Sequence, residues 1–366
     1  MDTKRVILFI DSLGTGGAQR QIVNLAIGLK RKNINPLLLF YNNQSYFNEI
    51  LLKYEIETAY IKRTNIFDIV FLINFYKLLK KHNNVWIISF LFMPSFYALF
   101  VKLFYPRLNI IVSERSFEQK TKLFEKIFPR NLYFLSTYIT ANSITQANVL
   151  YNKYPQYLNR IKYIPNGVIN QTLIYDCNNI DFNIVSIGRV SLLKDTKLLI
   201  KAVAALKTKY SGLNLNVYWI GAKYDINAQD VHYYEECTKL VEFYHLKSIW
   251  NWSGQISNVH SILRNASILV HMSAGEGFPN AICESMSFGI PVIASNVMDH
   301  PKIIINNYNG YLVDTGDLNG LVSAFNTFLS LNIEERKKIS QRAYDTATES
   351  FSLEKMVNSY YNLLNN

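Results

Sequence analysis

Short, continuous apolar runs alternate with longer segments of helical periodicity along most of the chain. In the first half this pattern predicts strands at Val6–Ile10, Pro36–Phe40, Val85–Ser89 and Asn109–Val112, and helices at Ala18–Lys32 and Phe67–Lys81. In the second half it predicts strands at Phe182–Ile187, Leu213–Ile220, Ile249–Trp252, Ile268–Val270 and Pro291–Ala294, and helices at Lys194–Lys207, Asp230–Tyr244 and Pro279–Phe288. Apolar strands that alternate with helices are typical of parallel sheets covered on both faces, so we expect an α/β fold of doubly wound domains.

The two series of elements predict two domains, and a length of 366 residues suits two domains of roughly 150 residues each. A polar turn at Ile164–Gly167 separates the series, because proline, asparagine and glycine favour turns. We therefore place one domain at residues 1–165 and a second at residues 166–348. A last helix is predicted in residues 349–366, after a break at Ser350.

The longest uncharged stretch is Val85–Val101, which has seventeen residues and contains Pro94. A membrane-spanning helix needs about 20 apolar residues, so we interpret this stretch as a buried strand, a break at Met93-Pro94 and an aromatic helix to Tyr105. Ile66–Leu79 is followed by two lysines, and Tyr97–Tyr105 contains one. These two helices are either core helices with solvated lysines or helices that lie on a bilayer surface.

The net charge of +11 is confined to the first half of the chain. Residues 1–165 contain 22 Lys and Arg against 9 Asp and Glu, whereas residues 166–366 contain 16 against 18. A basic half indicates a partner such as nucleic acid, an anionic membrane or a phosphorylated ligand. Cys177, Cys237 and Cys283 have unrelated spacings, so the sequence predicts neither a disulfide framework nor a cysteine metal site, and favours a reducing cytoplasm.

Two predicted strand-to-helix loops have the chemistry of an anion site. Gly16 and Gly17 follow the first strand and precede a helix, whose first N–H groups are free to bind an anion. Gly188, Arg189 and Lys194 lie in the equivalent loop of the second half. An arginine fork and a lysine point charge can together neutralise a diphosphate, although ordinary surface cations would look the same.

The third loop, Ser273–Ser295, places Glu276 and Glu284 eight residues apart. Pro279 suits the first turn of a helix and leaves the N–H groups of Gly277 and Phe278 at its N-terminus. Two carboxylates so spaced can bind hydroxyl groups at different ends of a ligand such as a nucleotide sugar.

The third loop resembles the E-x(7)-E signature of glycosyltransferase family 4, a group of retaining, nucleotide-sugar-dependent enzymes with the GT-B fold. Residues 16–20 (GGAQR) and 188–194 (GRVSLLK) resemble the glycine loop and the GRL-x-x-x-K segment of that family. Residues 166–168 (NGV) and 309–313 (NGYLV) resemble two further elements, in family order. The resemblance implies two facing Rossmann-like domains, an interdomain cleft and a C-terminal helix that crosses back to the first domain.

The resemblance implies a catalytic set of Arg189, Lys194 and Glu276, with the two cations on the donor diphosphate and the carboxylate on the transferred sugar. It also implies that donor-binding positions are Gly16, Gly17, Gly188, Gln255, Ile256, Gly277, Phe278, Pro279, Asn280 and Glu284. Within that set, Glu284 is expected to bind the ribose, and Gln255 and Ile256 the base. Residues 113–116 (SERS) resemble an acceptor-side segment of enzymes that extend lipid-linked oligosaccharides, so Glu114 and Arg115 are acceptor candidates.

The resemblance therefore implies transfer of a hexose or N-acetylhexosamine from a nucleoside-diphosphate sugar, expected to be UDP-linked, to a polyprenyl-diphosphate-linked glycan. With no D-x-D motif and scattered histidines, neither a metal nor another cofactor is expected. The basic first half fits an anionic membrane or a diphosphate-lipid acceptor, which places the protein in the cytoplasm on the inner face of the membrane. A soluble acceptor, a sugar-nucleotide epimerase and a nucleic-acid-binding protein are the alternatives, the last disfavoured because no reader motif occurs.

Overall fold

The computed structural model describes residues 4–115, 130–176, 181–223, 228–256 and 258–365. Cys177 and Ser116 lie outside the described residues. The chain forms two compact units, one of Met1–Gly167 with Leu353–Asn366 and one of Val168–Ser352.

The first unit is an α/β unit built on one parallel sheet. Its strands are β1 (Arg5–Phe9), β2 (Ser12–Leu13), β3 (Leu37–Phe40), β4 (Asn42–Ser45), β5 (Glu57–Tyr60), β6 (Val85–Phe90), β7 (Asn109–Glu114), β8 (Tyr138–Ala141) and β9 (Ile161–Tyr163). Its described helices are α1 (Gly17–Arg31), α2 (Asn48–Lys53), α3 (Ile69–Lys80), α4 (Phe92–Lys102) and α5 (Ile144–Lys153). The main sheet has the order β5-β3-β1-β6-β7-β8-β9, and β2 pairs with β4 separately.

Strand β1 lies in the middle of this sheet and is buried on both faces. Val6 and Leu8 pack on one side, where α1 lies. Ile7 and Phe9 pack on the other, where the ring centroid of Phe9 lies 5.0 Å from that of Phe75 of α3. Because every pairing in the main sheet is parallel, the strands end at one edge, and the loops that follow them meet there.

The second unit repeats this architecture. Its strands are β10 (Asp181–Ile187), β11 (Asn214–Ile220), β12 (Trp250–Gly254), β13 (Ile268–His271), β14 (Val292–Ser295) and β15 (Tyr311–Val313), in the parallel order β12-β11-β10-β13-β14-β15. Its described helices are α6 (Thr196–Lys209), α7 (Ala228–Phe243), α8 (Val259–Leu263), α9 (Asn280–Met286), α10 (His300–Ile303), α11 (Leu318–Ser330) and α12 (Ile333–Phe351). The prediction of two Rossmann-like parallel-sheet domains is therefore confirmed.

The C-terminal helix α13 (Leu353–Asn365) belongs to the first unit. Its residues Met356, Val357 and Tyr360 pack in the core that α1 covers. Gly28 of α1 permits this contact, since a Cβ there would lie 2.2 Å from Val357 Cγ2. The predicted break at Ser350 is wrong: α12 continues to Phe351, and the chain is extended at Ser352.

The uncharged stretch Val85–Val101 forms β6 and most of α4, as predicted. The break lies at Leu91, which has a φ of 72°, and Pro94 is accommodated in the first turn of the helix rather than before it. The helix ends at Lys102, not at Tyr105. Within the described ranges, we find no helix with the length and apolar character that crossing a membrane requires.

Candidate active site

The loop after β10 folds so that the side chain of Lys194 lies over Gly188, at the start of the same loop. Leu192–Lys194 form a 3-10 turn, and Asp195 has a φ of 41°, so α6 begins at Thr196 rather than at the predicted Lys194. Gly188 has a φ of 151°, and a Cβ there would lie 3.1 Å from Lys194 Cε. Glycine at this position therefore allows the lysine side chain to run close over the backbone.

The loops after β10 and β13 are tied together by their backbones. Ala274 N–H donates to the carbonyl oxygen of Leu193 at 2.8 Å. Ser295, at the end of β14, fixes the start of the second loop: its Oγ accepts from Ser273 N–H at 3.0 Å and donates to Ser273 O at 2.5 Å. These bonds bring Lys194 and Glu276 together although 82 residues separate them in sequence.

Glu276 is the centre of a charged cluster in the second unit. Its Oε1 accepts hydrogen bonds from Lys194 Nζ and from His271 Nε2, and Lys194 Nζ lies 3.2 Å from that same nitrogen. Burial alone would raise the pKa of Glu276, but His271 and Lys194 together outweigh burial and hold that pKa well below its usual range. The carboxylate is therefore ionised, and it forms a largely buried ion pair with the lysine.

Two histidines complete the surroundings of this carboxylate. Burial lowers the pKa of His271, which is 2% exposed, so its ring is neutral at pH 7 and donates through Nε2. His300 is fully buried, its ring centroid is 5.7 Å from that of His271, and burial lowers its pKa to about 4. His300 Nδ1 donates to Ser295 O at 2.7 Å, which leaves Nε2 buried with no hydrogen-bond partner in the described part of the chain.

The ligand atoms of His271, Glu276 and His300 lie within 4.8 Å of one another, a spacing that a divalent metal would accept. The ammonium group of Lys194, however, bonds the same carboxylate oxygen that a metal would need. A cation is thus already supplied by the chain, and the absence of a metal requirement stays a prediction.

Sequence reasoning missed both histidines. His271 is the last residue of β13, and His300 follows β14, which is its parallel neighbour in the sheet. Because the ends of neighbouring parallel strands lie side by side, these positions could have been flagged from the predicted strands.

Arg189 precedes Lys194 in the same loop but has a different partner. Its Nε lies 3.7 Å from Asp230 Oδ2 of α7, and its side chain is 43% exposed. The guanidinium therefore remains accessible to a ligand in solution.

In the E-x(7)-E segment, some side chains are buried, so that only their backbone is available to a ligand. Helix α9 begins at Asn280, with Pro279 at the N-cap. The Phe278 side chain is buried and packs on the ring of Phe351 at 5.7 Å, so only its backbone can serve a ligand. Gly277 and Glu284 are partly exposed, the latter one turn into the helix.

The remaining donor candidates lie in loops or at the start of a helix, and most of them are exposed. Gln255 is exposed and Ile256 is partly buried, directly after Gly254 at the end of β12. In the first unit, Gly16 and Gly17 are exposed at the start of α1, where the amide of Gln19 donates to Asp11 Oδ1 at 3.0 Å.

The acceptor candidates have partners within the first unit. The Glu114 carboxylate accepts from Arg130 Nε at 2.9 Å and Nη2 at 3.0 Å, and also from Tyr133 Oη and Gln146 Nε2. Nothing tests an acceptor role for Glu114, which stays a prediction.

Arg115 is 8% exposed and makes three hydrogen bonds to uncharged groups. It donates to Ser113 Oγ at 2.8 Å, to Tyr360 Oη at 2.7 Å and to Asn166 Oδ1. Its guanidinium carbon also lies 3.6 Å from the ring centroid of Phe90. This geometry favours a structural role that joins β7, the turn at Asn166 and α13.

Comparison with known proteins indicates the class of enzyme to which the chain is similar. Residues 177–346 match the family model "Glycosyl transferases group 1". A Campylobacter jejuni protein is 25% identical over 325 residues, which is 86% of this chain and 85% of that protein. It is the GalNAc-alpha-(1->4)-GalNAc-alpha-(1->3)-diNAcBac-PP-undecaprenol alpha-1,4-N-acetyl-D-galactosaminyltransferase. The chain is a glycosyltransferase.

Two further likenesses extend the comparison. The Escherichia coli UDP-Gal:alpha-D-GlcNAc-diphosphoundecaprenol alpha-1,3-galactosyltransferase is 33% identical over 73 residues, 20% of this chain and 18% of that protein. The crystal structure of Anabaena Alr3699/HepE in complex with UDP and glucose has a TM-score of 0.84 and 16% sequence identity, and the likeness covers 99% of both chains. The glycosyltransferase therefore has the GT-B fold.

Proposed function

We propose that this glycosyltransferase moves a hexose or an N-acetylhexosamine from a UDP-sugar to a hydroxyl of a polyprenyl-diphosphate-linked glycan, with retention of anomeric configuration. The observation that carries the proposal is the largely buried Lys194–Glu276 ion pair at the ends of parallel strands. UDP is bound in the Anabaena structure, and the C. jejuni and E. coli relatives are named for undecaprenol-diphosphate-linked glycans, which supports this donor and this acceptor.

The ion pair is suited to an exchange of partners when the donor binds. A diphosphate has more negative charge than one carboxylate, so the Lys194 ammonium turns from Glu276 to the phosphate oxygens. Glu276 keeps its hydrogen bond from His271 and becomes free to accept from hydroxyl groups of the sugar. The lysine and the carboxylate neutralise each other in the free enzyme. In the complex, the lysine binds the diphosphate and the carboxylate binds the sugar, on either side of the bond that breaks.

In the transfer, the bond between the anomeric carbon and the diphosphate oxygen breaks, and the leaving oxygen takes the electron pair. Lys194 and the accessible guanidinium of Arg189 stabilise that charge, which is the electrostatic task of the site. The acceptor oxygen bonds to the anomeric carbon on the same face, and its proton passes to the leaving diphosphate. Glu284 and the exposed residue Gln255 are assigned to the ribose and the base, and the backbone at Gly16 and Gly17 to the distal phosphate.

The proposed acceptor indicates the place in the cell where the enzyme acts. The diphosphate of a polyprenyl-linked glycan lies at the surface of the bilayer, whereas nucleotide sugars are cytoplasmic. We therefore place the reaction in the cytoplasm at the inner face of the cell membrane, in the assembly of bacterial surface polysaccharide or other lipid-linked glycans.

A donor screen tests the first half of the proposal. The protein is incubated with UDP-, GDP- and ADP-sugars, with and without a chelator of divalent metals, and both thermal shift and nucleotide release are measured. We expect that only UDP-sugars raise the unfolding temperature of the protein and are slowly hydrolysed, and that the chelator changes neither result. A response restricted to GDP- or ADP-sugars would contradict the donor, loss on chelation would contradict metal independence, and an epimerised donor without acceptor would favour an epimerase.

A matched pair of acceptors tests the second half. One is a polyprenyl-diphosphate-linked glycan in detergent, and the other is the same glycan without its diphosphate and lipid. The proposal predicts transfer to the first at a much higher kcat/KM. Equal transfer to both would show a soluble acceptor and reject the lipid-linked one.

A further inference from the structure

An exposed apolar cluster lies at the start of helix α3. It consists of Ile66, Phe67, Ile69, Val70 and Ile73, which we call the apolar tip. Phe67, Ile69 and Val70 are 67%, 69% and 67% exposed, so most of each side chain is in water. Soluble proteins commonly expose single apolar residues, but a contiguous cluster of this kind marks an interaction surface.

The apolar tip is held in place by the fold. Asp68 caps α3: its carboxylate accepts from Phe71 N–H at 3.0 Å and from Thr64 N–H and Oγ at 2.8 Å each. Tyr97 Oη donates to Ile66 O at 2.9 Å, and the opposite side of α3 packs in the core through Phe71. The Asp68 carboxylate, which lies beside the tip, and several backbone groups around it are thus hydrogen-bonded, which lowers the cost of placing the tip in an apolar medium.

The same outer face of α3 becomes basic toward its C-terminus. Ile69, Ile73, Lys77 and Lys80 follow one another at helical spacing, and all four are exposed. At 1.5 Å per residue, Lys77 lies roughly 12 Å along the helix from Ile69. Interfacial helices bury their apolar side chains about 5–10 Å into a bilayer, so lysines at this distance reach the phosphate layer when the tip inserts.

A basic groove lies beside this face. It has a volume of about 790 Å³ and lies between α3 and the edge strand β5. Three lysines, Lys62, Lys77 and Lys81, line it against one carboxylate, that of Asp68. Anionic headgroups complement such a groove, and each lysine near an anionic surface contributes to binding. The first half of the chain has the matching excess of positive charge, at 22 cationic against 9 anionic residues.

We propose that α3 docks the first unit on an anionic phospholipid bilayer, with the apolar tip inserted among the acyl chains and Lys62, Lys77, Lys80 and Lys81 on the lipid phosphates. The apolar tip beside a basic groove favours this occupant over a protein partner, because both the inserted side chains and the lysines then have a complementary layer. The inference rests on the proposed function, since docking brings the enzyme to a lipid-linked acceptor.

Flotation of the full-length protein with vesicles tests this inference. Vesicles of phosphatidylglycerol and phosphatidylethanolamine provide an anionic surface, and vesicles of phosphatidylcholine a neutral one. We expect the wild-type protein to float with the anionic vesicles, and to float more weakly as salt is raised. Ile69→Ser with Val70→Ser should weaken vesicle binding roughly tenfold or more, because two inserted side chains are lost.

Lys77→Gln with Lys80→Gln should weaken binding to anionic vesicles and reduce its dependence on salt. The matched control is Leu52→Ser, which removes an apolar side chain that is 77% exposed in the same unit but outside the tip. We expect this control to float like the wild type. Thermal unfolding of each variant verifies that it is folded.

The outcomes separate this inference from the proposed function. If the wild type does not float with anionic vesicles, or if the tip variant floats as well as Leu52→Ser, docking through α3 is wrong and the tip belongs to a protein partner. Transfer to the lipid-linked acceptor in detergent is measured for the same variants and needs no bilayer. Retained transfer in detergent with lost flotation supports both proposals, whereas absent transfer in the wild type would count against the proposed function alone.

Discussion

Lys194 and Arg115 are two of the largely buried cations in the described part of the chain, and their surroundings near the ends of parallel strands differ. In the second unit, Lys194 meets an ionised carboxylate, Glu276, together with a neutral histidine. In the first unit, the guanidinium of Arg115 meets two hydroxyl groups, one amide oxygen and the face of Phe90. One cation has a charged partner that a stronger anion can replace, and the other is held by fixed neutral acceptors.

We infer from this difference that Lys194 is suited to bind a ligand because its partner, Glu276, can form new hydrogen bonds when the lysine leaves. In the proposed mechanism, when a diphosphate binds Lys194, the Glu276 carboxylate keeps its hydrogen bond from His271 and accepts new ones from the sugar hydroxyls, so it stays hydrogen-bonded. If a phosphate instead drew Arg115 away, the three polar groups would be left without their donor, which costs stability. We therefore propose a catalytic role for Lys194 and a structural role for Arg115.

The largest expected effect is the loss of turnover in Lys194→Ala. Removal of one preorganised group that stabilises the leaving charge should lower kcat at least about 100-fold. Because the substitution leaves the Glu276 carboxylate without its charged partner, we also expect a lower unfolding temperature, and kcat is measured where the protein is folded. Transfer from the UDP-sugar is measured by release of UDP. The control is Lys201→Ala, an exposed lysine on α6, which should turn over like the wild type. Full activity in a folded Lys194→Ala protein would contradict the catalytic role of Lys194 and with it the contrast with Arg115.

For Arg115→Ala, we expect a loss of stability without a loss of donor binding. Loss of three hydrogen bonds from a buried charged donor should lower the free energy of unfolding by about 3 kcal/mol. UDP binding is measured at a temperature at which the unfolding curve shows more than nine-tenths of the variant to be folded. Under that condition, we expect the variant to bind UDP with the affinity of the wild type. Arg107→Ala, an exposed arginine in the same unit, serves as the control and should leave stability unchanged. If Arg115→Ala is as stable as this control but loses transfer, Arg115 belongs to the acceptor site after all.

A smaller effect is expected for Glu284→Ala. Loss of the carboxylate assigned to the ribose should weaken UDP binding about tenfold, as one charged hydrogen bond would, and leave kcat at saturating donor nearly intact. Titration calorimetry with UDP measures the affinity. Glu349→Ala, an exposed glutamate of α12, should bind like the wild type. Unchanged affinity in Glu284→Ala would remove the ribose assignment.

The last effect concerns pH and the second unit alone, and it develops only in acid. Burial lowers the pKa of His300 from 6.5 to about 4, so as pH falls between these values the unfolded chain takes up a proton that the folded chain does not. This contribution leaves stability unaffected above pH 6.5 and lowers it below that pH, by up to about 3 kcal/mol. His300→Asn keeps a donor for Ser295 O and should make the free energy of unfolding less dependent on pH in this range. An equally steep dependence in His300→Asn would show that another group controls it.

Much of this architecture could be predicted because central parallel strands leave a clear pattern. β1 and β6 are buried on both faces, so each appears as an unbroken apolar run. In the edge strand β5, Glu57 and Thr58 are exposed and there is no apolar run. The sequence pattern therefore did not predict this strand. β8 and β9 were missed because they are short and interrupted by Thr140 and Lys162.

The charged cluster could be predicted only in part. A motif resemblance indicated Lys194 and Glu276, but the hydrogen bond between Ala274 and Leu193 that brings their loops together is a property of the folded backbone. His271 and His300 join them only because β13 and β14 are neighbours. The position of Arg115 depends on Tyr360, which is 245 residues away in sequence, so no local pattern could show that its guanidinium is already occupied.

The most direct test of the account compares the affinity of UDP for the wild-type protein, Lys194→Ala and Arg115→Ala by titration calorimetry at neutral pH. The account predicts that Lys194→Ala binds UDP at least about tenfold more weakly, because a lysine point charge on the diphosphate is lost, and that folded Arg115→Ala binds it as tightly as the wild type. Undiminished binding by Lys194→Ala, or an equal loss in both variants, would contradict the assignment of the donor diphosphate to the Lys194–Glu276 pair.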